Sequence, residues 1–131
     1  MMRVILISAS LLGLFSVIIA AMGNHLLGHT LNAQHAEQFI LALGYQQRYS
    51  ILLVALSLFG LHQKQNRLLN LSCLALLVGS LLFCATLYLS AFQNLSLLRY
   101  GTPIGGSLLI LGWLLLLFFA VFYKKSEKAL P

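Results

Sequence analysis

The chain has 131 residues, 60% hydrophobic and 8% charged, with a mean hydropathy of +0.95 and a formal net charge of +6. Soluble domains carry roughly 25% charged residues, so an ordinary soluble domain is excluded, as are a disordered chain and, with two cysteines, a disulfide scaffold. The ten charges are eight Lys or Arg and two Glu, with no Asp. Apart from Arg48, the bases stand at the ends of apolar runs instead of forming a patch, which argues against a nucleic-acid partner and leaves an all-α integral membrane protein.

A helix needs about 20 mostly apolar residues to cross the hydrocarbon core. Four runs meet that length, residues 4–24, 39–61, 68–92 and 104–123, and they predict a single four-helix membrane domain over 1–131. The first run follows Met1-Met2-Arg3, which resembles a signal-peptide n-region. Its apolar stretch exceeds the roughly 7–15 residues of an h-region, and Ile18 and Ile19 crowd the Ala20-Ala21 pair where cleavage would fall, so the run reads as a retained anchor. Ala9, Gly13, Ser16 and Ala20 recur at helical spacing and give it one small-residue face.

Asn32 is placed to cap the second helix, with residues 33–38 as an interfacial first turn and Glu37 at its positive end. Inside this span runs Gly44-Tyr45-Gln46-Gln47-Arg48-Tyr49-Ser50. Arg48 lies about 14 Å along the helix from Phe39, near the midplane, where insertion of an Arg costs about 2.5–3.5 kcal/mol. Two readings stay open. Arg48 either belongs to an interior polar site with Tyr45, Gln46 and Tyr88, or it snorkels to the outer interface.

The third span repeats the small-residue device with Ser72, Ala75, Gly79, Thr86 and Ser90. Its cysteines, Cys73 and Cys84, are some 16 Å apart along one helix, too far to bridge, and read as small apolar residues. At the start of the fourth span Thr102 suits an N-cap and Pro103 the first helical position. Gly105 and Gly106 leave the first turn bare, which favours close approach of another backbone over anion binding. Gly112 extends the small-residue pattern, and Trp113, far from either interface, is expected to face the bundle because its indole N–H needs a partner.

Arg3, Lys64, Arg67, Lys124, Lys125 and Lys128 fall on one side of such a bundle and Arg99 alone on the other, so both termini are expected in the cytoplasm. Tyr100 and Tyr123 sit at span ends, where such rings favour the interface. His25 and His29 have the i, i+4 spacing of a ligand pair, with His35 and Glu37 on the same side. Without a nearby cysteine, and with Gly28 between the pair, no metal site is expected; a haem would need a second histidine at the same depth. No span contains a carboxylate, which removes acid–base pairs, catalytic triads and the embedded Glu of the small multidrug transporters. There is no dinucleotide or phosphate-cradling motif, so no cofactor is expected.

Ala20-Ala21-Met22-Gly23-Asn24-His25 resembles the Gly-Ala-Phe-Gly-Ala-His motif that ends the first span of the YgdD-like family, a domain of unknown function of small inner-membrane proteins. Tyr45-Gln46, the stretch from Gly79 through Phe83 to Tyr88, and Thr102-Pro103-Ile104-Gly105-Gly106 with Gly112-Trp113 follow in the family's order. The resemblance covers nearly the whole chain and implies four spans and an inner-membrane location, with no activity attached. His25 matches the motif. The chain departs from it at Tyr49, where the family continues to a His, and at Arg48, where it has an apolar residue; His29 has no counterpart. The residues thus point to a non-enzymatic accessory or structural protein of the lipid bilayer, self-associating or meeting a membrane-protein partner through its small-residue faces. The alternative is a ligand or transport protein with Arg48, Tyr45, Gln46 and Tyr88 lining a site for an anion or lipid headgroup.

Overall fold

The computed structural model describes residues 1–27, 33–62, 66–92 and 100–123. These form four helices, α1 Met2–Leu27, α2 Ala33–Leu61, α3 Arg67–Phe92 and α4 Gly101–Phe122, with no strand among the described residues. All four are long and apolar enough to cross a membrane. The α2 helix has 29 residues, roughly 43 Å at 1.5 Å per residue, against a hydrocarbon core of about 30 Å. Its surplus length is the polar segment 33–38 that precedes Phe39.

Helices adjacent in sequence pack side by side, and α1 also touches α3. Backbone contact is absent between α4 and either α1 or α2 among the described residues. The bundle is therefore an α1–α2–α3 cluster with α4 laid along α3, and only side chains bridge α2 to α4. Ile5, Ala9, Leu53, Leu69, Cys73 and Leu76 fill the centre. The outside is as apolar as the inside: Ile51 is 72% exposed and Phe122 70% exposed. Such a surface suits hydrocarbon as the solvent, and helices suit it because every backbone bond closes within the segment.

Small residues set the helix spacing. A Cβ on Gly105 would stand 2.6 Å from the backbone nitrogen of Phe83, one on Gly79 3.0 Å from that of Leu109, and one on Gly112 3.1 Å from that of Leu76. The Ser72 hydroxyl donates to the Gly112 carbonyl across the same seam at 2.8 Å. The backbones of α3 and α4 thus meet with almost nothing between them. Gly106, next in sequence to Gly105, meets nothing within 4 Å, so the close approach expected of the pair rests on Gly105 alone. Between α1 and α2 the glycines meet side chains and not backbone: the nearest atom to a Cβ on Gly13 would be Ser50 Oγ at 3.5 Å. Cys73 and Cys84 are free and buried, and the Cys84 thiol points at the Ala42 carbonyl, 3.5 Å away.

Two local expectations are corrected. Thr102 does not cap α4: the helix starts at Gly101 after Tyr100, with no side-chain cap. Thr102 instead places its hydroxyl 3.1 Å from that of Thr86, tying the first turn of α4 to α3, and Thr86 also reaches the Leu82 and Phe83 carbonyls. Pro103 is consequently the third helical residue, still within the first turn, where a missing N–H leaves no bond broken. Trp113 does not face the interior; it is 49% exposed on the flank of α4. Its indole donates to the Tyr49 hydroxyl at 3.1 Å, so the need for a partner is met across the α2–α4 gap. A cap not read from the sequence is Asn66, whose side-chain oxygen accepts from the N–H groups of Leu68 at 2.9 Å and Leu69 at 3.4 Å. The sequence readings of Gly28, His29, Asn32, Lys64, Arg99 and the basic C-terminal segment fall outside the described residues.

Candidate functional site

The α2 helix carries two polar faces with different fates. Phe39, Ala42, Gln46, Ser50, Leu53 and Ser57 recur every three or four residues and are buried. Tyr45, Arg48, Tyr49 and Leu52 recur at i, i+3, i+4 and i+7 and line the other face. At 100° per residue Gln46 and Arg48 diverge by about 200°. The four residues expected to share one polar site are divided accordingly: Gln46 and Tyr88 meet inside the bundle, and Tyr45 and Arg48 meet on its flank.

The inner half is closed. The Tyr88 hydroxyl donates to Gln46 Oε1 at 2.8 Å, and Gln46 Nε2 donates to the Leu12 carbonyl of α1 at 2.9 Å. One amide side chain, 5% exposed, therefore joins three helices with both of its ends satisfied. Phe39 packs edge-on against Tyr88 with centroids 5.4 Å apart, and Gly23 leaves room for the Phe39 ring, which a Cβ would approach to 2.7 Å. Gly23, of the first-span motif, is thus the seat of an aromatic stack leading to Gln46. Phe83 plays a similar part on the other side: its ring lies 4.7 Å from that of Tyr45 and its backbone abuts Gly105.

The outer half is open. A groove of about 370 Å³ runs between α2 and α4, lined by Tyr45, Arg48, Tyr49, Leu52 and Trp113. Arg48 is exposed, and its guanidinium lies 5.9 Å from the centroid of the Tyr45 ring, within cation–π range. It also turns back over Gly44, whose missing Cβ would stand 3.7 Å from one guanidinium nitrogen. The side chain therefore reaches towards the N-terminal end of α2, as helical side chains do. Among the described residues nothing hydrogen-bonds or ion-pairs with it. Tyr88, one of the partners considered from sequence, is occupied by Gln46.

Tyr49 and Trp113 were not expected at this site. The signal for Tyr49 was available, since it follows Tyr45 by four residues and Arg48 by one on the same helical face. The Trp113 partnership depends on how α4 lies against α3, which no spacing within α2 encodes. Of the histidine group, His35 and Glu37 stand in the first turns of α2, and no three His, Cys, Asp or Glu side chains converge among the described residues. The side chains of Asn24 and His25 lie outside the described residues.

Comparison with known proteins places these features in a family setting. Residues 19–106 match the family described as protein of unknown function (DUF423). A UPF0382 membrane protein of Haemophilus influenzae is 35% identical over 105 residues, covering 80% of this chain and 83% of that protein. The UPF0382 inner membrane protein YgdD of Escherichia coli is 29% identical over 124 residues, covering 95% and 94%. A UPF0382 membrane protein of Staphylococcus saprophyticus is 30% identical over 115 residues, covering 88% and 94%. No solved structure gives a significant match. The matched stretch runs from the end of α1 to the first turns of α4, so it includes Gly23, Gln46, Tyr88 and Gly105 but stops short of Gly112 and Trp113.

Proposed function

Since the chain belongs to the DUF423 family of membrane proteins, which brings no activity with it, we propose from its own residues that it is a non-enzymatic accessory or structural protein of a bacterial inner membrane, with both termini cytoplasmic. The observation that carries this reading is Gln46. At mid-span, where a ligand site of a small bundle is expected, the buried polar side chain is engaged at both ends in helix–helix bonds. Ser72 and Thr86 are used in the same way between α3 and α4. No carboxylate lies within the apolar runs to carry protons or cations, and the inner-membrane name of the Escherichia coli relative supports the location. The accessory role implies a partner in the bilayer, either a second copy or another membrane protein.

Reconstitution in liposomes tests the reading against its competitor, a small-ligand or lipid-binding or transport protein with a polar site around Arg48, with small anions as the probe of transport. The accessory role expects chloride and phosphate flux equal to that of protein-free vesicles. Flux above that level, abolished in Arg48→Leu, would replace it with the competitor.

A further inference from the structure

Arg48 lies nine residues past Phe39, where the apolar part of α2 begins, about 14 Å along the axis, and it faces outward from the bundle. A charged side chain at such depth normally faces the protein interior or water and has a partner. Among the described residues there is none on this face. Glu37, on the same side of α2, is eleven residues earlier, about 16 Å along the axis, and Glu127 falls outside the apolar runs. The counter-charge must therefore come from what surrounds the protein.

The groove around Arg48 has the features to receive one. The guanidinium is turned over Gly44 and Tyr45 towards the N-terminal end of α2, the direction of the nearer interface. Tyr49 accepts the indole proton of Trp113, which leaves its own O–H to donate. Leu52 and the indole continue the groove one turn deeper as apolar walls. On α4, Gly106 lies seven residues before Trp113 on the same helical face, two turns nearer the interface, and a Cβ there would meet nothing within 4 Å. Reading from the interface inwards, the order is an open mouth, a cation with a hydroxyl donor, then an apolar slot. That is the order of an amphiphile's headgroup and tail.

We propose that the α2–α4 groove binds an anionic phospholipid, its phosphate on Arg48 and Tyr49 and its acyl chain along Leu52 and Trp113. The site is independent of the accessory role, because it uses the face of α2 that the Gln46 network leaves free.

Trp113 is the only tryptophan of the chain and lines the groove, so its fluorescence reads occupancy directly. Full-length protein is reconstituted in phosphatidylcholine bilayers with matched fractions of brominated phosphatidylglycerol or brominated phosphatidylcholine. The site predicts a preference of roughly fivefold for the anionic quencher, the order expected of one basic side chain beside an anionic headgroup. Arg48→Gln brings the ratio to unity and Arg48→Lys keeps most of it. Equal quenching by the two lipids in the unaltered protein overturns the proposal even where Arg48→Gln fails to fold, and so does a preference that survives in a folded Arg48→Gln. Inorganic phosphate added at millimolar concentration leaves the preference intact; its loss would assign the site to a soluble anion and overturn the lipid.

Discussion

Gln46 joins α1, α2 and α3 through two hydrogen bonds. Hydrogen bonds between membrane helices contribute about 0.6 kcal/mol on average and up to about 1.7 kcal/mol, so Tyr88→Phe should cost about 0.6 kcal/mol and Gln46→Leu about 1–2 kcal/mol. Reversible unfolding in mixed micelles measures both, and a double-mutant cycle should return a positive coupling; additive losses would mean that the tie contributes nothing. Ser57 is the converse case. Its hydroxyl is fully buried and has no partner among the described residues. Ser57→Ala removes an unsatisfied group and should raise stability by about 1 kcal/mol, read as a higher melting temperature. At this scale the sequence showed that residues 44–50 were unusual but not that they served two faces. Helical periodicity separates Gln46 from Arg48 once it is applied. What periodicity does not supply is the partner: Leu12 and Trp113 lie 34 and 64 residues from the groups they meet.

Among the elements, the α3–α4 seam makes the sharpest demand. A methyl group on Gly105 would collide with the backbone of Phe83, and a backbone cannot rotate away as a side chain can. Gly105→Ala should therefore separate the helices and cost about 1–3 kcal/mol, the usual range for overpacking. Gly106→Ala has open space before it and should be neutral or add up to about 1 kcal/mol through helix propensity. Thermal melts of the two single variants in one detergent check the contrast, and equal destabilisation would contradict the packing described. Composition and spacing made the four helices and their small-residue faces legible, because a span of apolar residues has few other solutions in a membrane. They did not reveal which of two adjacent glycines meets a neighbour. That depends on the rotation of α4, which is set by where its first turn begins and by the Thr86–Thr102 contact. The half-exposed position of Trp113 was hidden for the same reason.

For the molecule as a whole, the asymmetry of its bases predicts that a cytoplasmic reporter such as green fluorescent protein is active on the C-terminus, whereas a periplasmic phosphatase reporter is active near Arg99; the reverse pattern would invert the orientation. The three-helix cluster with α4 laid along α3 also orders the molecule in time. A ribosome delivers α1 and α2 first, and the Gln46 amide nitrogen finds the Leu12 carbonyl already made. Its oxygen has to wait for Tyr88, 42 residues further along, which at about 5–20 residues per second is roughly 2–8 s of synthesis. Within the chain, the Tyr88 donor for that oxygen exists only once α3 has been made, so the Gln46 tie is completed across three helices in that order.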